Sequence, residues 1–219
     1  MKKLPWLPGV LRVPLVLLRS NYRQLKRKHT LARLSLQPVK KIVLGAGGTQ
    51  FEGWMSTEQE ELDLLFKSAW ANYFKKNSVD AILAEHVWEH LTLKESVVAA
   101  TNCFIFLKPG GYLRVAVPDG YHPDPTYVEA VKPGGTGAGS DDHKVLYVYD
   151  SFCEIFIDAG FDVFLLEYFD EHGEFHYKEW STSDGFIERS KLFDSRNKGE
   201  KLFYTSIILD ARKPVDQHD

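Results

Sequence analysis

The chain has 219 residues, 44% of them hydrophobic and 26% charged, which excludes a collagen-like, low-complexity or wholly disordered protein. Cys103 and Cys153 are too few for a disulfide scaffold, so a reducing, cytoplasmic setting is expected, and no apolar run reaches the roughly 18–20 residues of a membrane-spanning helix. The net charge of −3 hides a division: residues 1–40 hold ten Lys and Arg and no acid, and the first carboxylate is Glu52.

Residues 1–40 form a basic arm. Its Leu4–Leu18 stretch is apolar but broken by Pro5, Pro8 and Pro14 and charged at Arg12. Those breaks, and the lack of a small-residue cleavage site, argue against a signal peptide. Beyond it, Tyr22, Leu25, His29, Ala32 and Leu36 recur at helical spacing beside Arg23, Lys26, Arg27, Lys28 and Arg33. Such a segment suits a helix laid over the domain, or peripheral contact with an anionic membrane surface. Nucleic acid is the less favoured partner, and the arm alone does not decide.

From Lys41 strands and helices alternate. Lys41–Leu44 reads as a buried strand entering a glycine turn, and Val79–Ala84 as a second strand. Leu93–Leu107 reads as a helix stopped by Lys108-Pro-Gly-Gly111, with a strand at Tyr112–Val117. Residues 118–142 read as a Pro- and Gly-rich loop, Val145–Ala159 as a helix, and Phe161–Phe169 and Lys201–Ala211 as the last strands. Residues 170–200, charged and aromatic without clear period, form an insertion, and 214–219 a tail. The pattern predicts one α/β domain over 41–213: a Rossmann-like, doubly wound, mainly parallel sheet with an antiparallel end. Ligands of such sheets sit at the carboxyl ends of the strands, which places Gly45–Thr49, Glu85–His86 and Pro118–His122 on one rim.

Gly45-Ala-Gly-Gly48 allows close backbone approach to a ligand. A nicotinamide fingerprint would need glycine where Gln50 stands, and Gly53 interrupts the helix that should follow, so an NAD(P)-dependent oxidoreductase is disfavoured. The runs Val43–Gly48, Gly53-Trp-Met-Ser-Thr-Glu58, Asn77–Asp80, Glu85-His-Val-Trp-Glu-His90, Lys108–Leu113 and Val117-Pro-Asp119 occur in order. Together they resemble a class I S-adenosylmethionine-dependent methyltransferase, of a small bacterial-type subgroup. The resemblance implies that Gly45, Ala46, Gly47 and Gly48 line the cofactor and that Glu58 holds its ribose hydroxyls. It also implies that Asp63 faces the adenine and that Glu85 and His86 lie beside the cofactor. Two departures stand out: Val43 replaces the acid usual before the glycine turn, and Thr49 replaces a common last glycine. They leave room for a second reading, a catalytically inactive, membrane-docked binding module with the same fold.

His86-Val-Trp-Glu-His90 also reads H-x-x-E-H, a zinc-protease pattern. Zinc needs a third protein ligand, and nothing downstream supplies a motif for one, so no metal is expected. On the acceptor side, methyl transfer to oxygen wants a base, for which histidine is the natural residue. His143 is the first candidate, oriented by Asp141 or Asp142 at the end of the glycine-rich loop, with His122 second. Asp119 is expected to orient the acceptor, a small molecule or glycan, and Trp88, Tyr121 and Trp180 to wall its pocket.

Overall fold

Lys41–Leu44 (β1) is a short apolar strand whose Ile42, Val43 and Leu44 are all buried. Such runs suit the middle of a parallel sheet, where both faces are covered. In the computed structural model, which describes residues 31–199 and 201–215, β1 pairs in parallel with Met55–Ser56 (β2) and with Val79–Glu85 (β3). Leu107–Pro118 (β4) pairs in parallel with β3. The remaining strands are Asp162–Phe169 (β5), Phe175–Tyr177 (β6) and Ser206–Arg212 (β7). The seven-stranded order is β2-β1-β3-β4-β7-β5-β6. Because β7 is antiparallel to both β4 and β5, it runs reversed between two forward strands. The predicted doubly wound sheet is thus present. Its antiparallel end is present too: β7 runs reversed between β4 and β5, and the edge strand β6, inside the stretch read as an insertion, is antiparallel to β5.

The helices are Lys67–Ala71 (α1), Leu93–Phe106 (α2), Pro125–Val131 (α3) and Tyr149–Asp158 (α4). Thr92 starts α2 with a capping box: its side chain accepts from Glu95 N–H, and the Glu95 carboxylate accepts from Thr92 N–H. The loop read over 118–142 contains α3, because Asp124 caps it and Pro125 occupies its first turn. Gly137 must be glycine there, since a Cβ would stand 2.7 Å from the Ala130 carbonyl.

Alternation along the strands divides the core in two. Ile42, Leu44, Ile82, Val115 and Leu209 face one layer with Trp70, Phe106, Phe152 and Phe156, drawn from or adjoining the helices. Leu31 and Leu34, within helical residues 31–35, join this layer, so the packed fold begins upstream of residue 41. Val43, Leu83, Ala116 and Ile208 face the other layer, where Ile187 and Trp180 cover them. Among the described residues, no α-helix does that work. Residues 180–191 do it, held by polar anchors. Arg114, 2% exposed, pairs with Asp210 (2.7 and 3.0 Å) and donates to the Ser181 and Gly185 carbonyls (2.8 Å each). Fully buried Glu167 accepts from Trp180 Nε1 (2.9 Å) and Lys191 N–H (2.8 Å). Desolvation raises the Glu167 pKa, against the lowering effect of those two donors.

Candidate functional site

The carboxyl ends of β1 and β2 are tied together. Thr57 donates from N–H and Oγ1 to the Val43 carbonyl (2.8 and 2.9 Å), and Ala46 N–H donates to the Thr57 carbonyl (3.0 Å). These bonds bring the glycine turn beside Glu58. Gly45 has φ +54°, and a Cβ on it would lie 2.8 Å from Val87 Cγ2, so the turn requires glycine there.

A cavity of about 530 Å³ opens at this edge, lined by Gly45, Glu58, Asp63 and His86 together with Leu62, Leu64, Leu65, Val87 and Leu91. Four of the residues singled out from sequence as cofactor ligands therefore share one wall. Among the described residues, no hydrogen bond or ion pair occupies the Glu58 carboxylate, which leaves both oxygens for a diol. Asp63 is partly committed: its Oδ1 accepts from Leu65 N–H (2.8 Å) and its Oδ2 lies 3.3 Å from Gln59 Nε2. The leucines supply an apolar wall for a flat ring. The residues present fit S-adenosylmethionine, with a cradle of bare backbone, a free carboxylate and an apolar face.

Ala46 and Gly47 line a smaller neighbouring cavity of about 300 Å³, and Gly48 lines another that shares Glu58 with the larger cavity. Glu85 lines the cavity of about 300 Å³ with Gly45 and His86 rather than the larger one. Its carboxylate accepts from Glu188 N–H (3.1 Å) and Arg189 N–H (2.8 Å), which holds residues 188–189 over the glycine turn.

A further cavity of about 520 Å³ is lined by His86, Glu89, His90 and His143 and, from distant segments, Arg189, Asp194, Arg196 and Tyr204. His86 and His90 line this cavity and the first one alike, so the two meet at the turn after β3. His86 holds a left-handed backbone, φ +54°. Its Nε2 lies 3.0 Å from Ser206 Oγ, and its Nδ1 lies 3.1 Å from Glu89 Oε1. Arg196 is paired with Asp194 (2.8 Å) and stacks over Tyr204 at 3.4 Å from the ring centre. The second cavity is polar and carries both signs of charge.

His143 reaches it, although not as the sequence suggested. Its ring is held by the Val131 carbonyl, 2.6 Å from Nδ1, while Asp142 pairs with Lys144 (2.9 Å). His122 and Asp119 line neither of the two larger cavities. His122 is 4% exposed, stacked on Tyr127 at 4.0 Å and edge-on to Phe169 at 4.8 Å. Desolvation lowers its pKa to about 4, against the pull of Asp124. Asp119 is fully buried and joins two elements by accepting from Phe169 N–H (2.7 Å) and Tyr121 N–H (2.9 Å). Desolvation raises its pKa to about 6, although those two donors favour the ionised form. Trp88 is buried in the core, Trp180 packs on the sheet, and Tyr121 lies 6.2 Å from the Tyr149 ring, so none of the three walls these cavities.

The sequence reading missed Glu89, Arg189, Asp194, Arg196 and Tyr204 as cavity residues. Only Glu89 belonged to a motif. The others lie 100 or more residues from the β3 turn and are brought to it by the anchored 180–191 segment and by β7.

Sheet order, the reversed β7 between forward strands and a site on the carboxyl edge define the Rossmann-like fold of the class I methyltransferases. No family model matches the chain, and no curated protein matches it. Among solved structures it is similar to a SAM-dependent methyltransferase from Archaeoglobus fulgidus: 14% identity, TM-score 0.48, 85% of this chain and 94% of that one. It is also similar to one from Thermotoga maritima, at 13% identity and TM-score 0.49, over 94% of this chain and 96% of that one. A third, from Mesorhizobium loti, shares 11% identity at TM-score 0.46, over 85% of this chain and 97% of that one.

Proposed function

We propose that the protein is an S-adenosylmethionine-dependent methyltransferase acting on an oxygen of a small-molecule or glycan acceptor. One observation carries the reading: a glycine turn and an unoccupied carboxylate, Glu58, line one cavity, and a polar cavity of similar size joins it at His86 and His90. A two-substrate transfer needs that arrangement, because it must place donor and acceptor in contact while binding each separately. The polar lining of the second cavity, with Tyr204, Asp194 and Arg196, suits an acceptor rich in hydroxyls.

When bound, S-adenosylmethionine supplies a methyl group on a positively charged sulfur. Glu58 accepts hydrogen bonds from the ribose hydroxyls, and Gly45 lets the backbone approach the methionyl part. His143, its Nδ1 proton donated to the Val131 carbonyl, keeps Nε2 unprotonated in its neutral form. That nitrogen is available to the acceptor side.

The test is a melting experiment with S-adenosylhomocysteine, with NAD as comparison. S-adenosylhomocysteine is expected to raise the melting temperature and NAD to leave it unchanged. Glu58→Ala removes a charged acceptor of two hydrogen bonds, about 1.5–3 kcal/mol, so affinity should fall roughly ten- to hundredfold. No stabilisation of the wild type, or equal affinity in the variant, rejects the reading.

A further inference from the structure

Glu89, His90 and His143 each bring one ligand-capable atom within 4.8 Å of the others, in the wall of the second cavity. Glu89 is fully buried, and neither carboxylate oxygen accepts an aligned hydrogen bond. His86 Nδ1 stands at ion-pair distance from one oxygen, 3.1 Å, and the other has nothing. Nδ1 of His90 is likewise buried without an aligned partner, although Asp142 Oδ2 lies 3.4 Å away. A buried carboxylate in that state lacks the charge and hydrogen bonds that normally offset its desolvation.

His143 completes the arrangement. A carbonyl only accepts, so Nδ1 carries the ring proton toward Val131 and Nε2 keeps its lone pair. Its neighbour Lys144 donates N–H to the Glu89 carbonyl (2.6 Å), which locks the His143 segment against the turn that carries Glu89 and His90. A histidine whose second nitrogen is bound to a backbone carbonyl has the outer-shell support typical of a metal ligand. Apart from His86 Nδ1, the cluster offers acceptors with no aligned donor, a setting that suits a cation. Two imidazoles and one carboxylate suit a first-row divalent ion, whereas magnesium and calcium favour oxygen ligands throughout.

We propose that Glu89, His90 and His143 bind a divalent first-row transition-metal ion in the wall of the second cavity, with His86 positioning Glu89. Three protein ligands leave coordination places open on the cavity side. The catalytic part of this inference rests on the methyltransferase reading. An acceptor hydroxyl bound to the ion loses its proton to cavity water more readily. The oxygen then forms its bond to the methyl carbon as the carbon–sulfur bond breaks and its electron pair stays on sulfur. His143 serves there as ligand, and the proton goes to cavity water because the ion lowers the hydroxyl's pKa.

A second cluster, Asp170, Glu174 and His176, is not such a site. Asp170 Oδ1 already accepts from the His172 and Glu174 N–H groups, and its Oδ2 is held by His176 at 2.7 Å.

The experiment titrates the full-length protein, stripped with a chelator, with Zn²⁺ and Mn²⁺ by calorimetry, and records S-adenosylhomocysteine melting shifts alongside. One ion per chain is expected. Glu89→Gln and His143→Ala should each weaken binding about 10- to 100-fold or more, while Asp170→Asn leaves it unchanged. No saturable binding, or binding undiminished in both variants, overturns the site. Cobalt absorption gives a readout that needs no variant: visible bands of protein-bound Co²⁺ support the site, and the spectrum of aqueous Co²⁺ alone overturns it. Failure of S-adenosylhomocysteine to stabilise the wild type would reject the methyltransferase reading and leave the metal result standing.

Discussion

A non-glycine residue in the left-handed region costs on the order of 1–3 kcal/mol, and His86 occupies that region where the two large cavities meet. The surroundings hold it there: its N–H donates to the Ala116 carbonyl (2.8 Å), and its ring is fixed by Ser206 and Glu89. His122 shows the opposite case. It follows β4 at the predicted rim, yet Tyr127 and Phe169 close over it and burial keeps it neutral. A histidine pKa lowered to about 4 makes the folded state bind fewer protons than the unfolded state between roughly pH 4 and 6.5. Its contribution is therefore present above the unfolded pKa and lost as pH falls toward 4. Asp119, raised to about 6, has the reverse slope between its unfolded value and pH 6, which masks part of the effect in wild type. Comparison with His122→Gln isolates the histidine. The stability of wild type relative to the variant should grow by roughly 3 kcal/mol from pH 4 to pH 7. Urea midpoints at the two pH values measure this, and an equal gap at both would refute the assignment.

Among the elements, residues 180–191 have the strangest sequence and the plainest task. They show no helical or strand period because, apart from one 3-10 turn at Thr182–Asp184, they are neither. They cover a sheet face, fastened by Glu85, Arg114, Glu167 and Asp210, which come from four different strands. Of the charged side chains in this segment, Arg189 is itself an anchor, pairing with Glu85 at 3.3 Å. Arg114→Ala would strip Asp210 of its buried partner and release the Ser181 and Gly185 carbonyls. Breaking a buried pair from one side costs about 3–5 kcal/mol, and a denaturant titration should show a loss of that size. A loss under about 1 kcal/mol would mean that Ile187, Trp180 and the Glu85 and Glu167 bonds hold the segment without Arg114. The same segment carries Arg189 and borders Asp194 and Arg196, so loosening it should also disturb the second cavity. The glycine-rich residues 134–139 differ from expectation in the same way: Thr136 and Gly137 N–H bond to carbonyls of α3 (3.2 and 2.9 Å), packing the run against that helix.

For the whole molecule, most of the arm expected to be basic and amphipathic, residues 1–30, lies outside the described residues, and no described helix is long and apolar enough to cross a membrane. Its charge still makes a prediction. Basic residues near an anionic surface contribute about 1 kcal/mol each, so the full-length protein should sediment with anionic vesicles and weakly with neutral ones. Deleting residues 1–28, a cut that spares the buried Leu31 and Leu34, should abolish the preference and keep the S-adenosylhomocysteine shift. Equal, weak sedimentation of the intact protein with both vesicle types would refute membrane contact.

What the sequence determined by itself is the part written in local pattern. The apolar runs of β1, β3 and β4, the helix between β3 and β4 and the glycine turn beside Glu58 were legible, because strand burial and turn chemistry act over a few residues. Loop positions on the rim were legible too, since parallel strands put their carboxyl ends together. Only the tertiary structure decided which rim residues face a cavity. It buried Asp119 and His122, set Glu85 in the smaller cavity bonded to the backbone of residues 188–189, and placed β7 inside the sheet. It also brought His143 to Glu89 and His90 across more than fifty residues of chain. The H-x-x-E-H run contained two of those three groups, but the third arrives through a backbone bond from Lys144 to Glu89. Convergence of polar groups from distant segments has no period, so no window along the chain can display it.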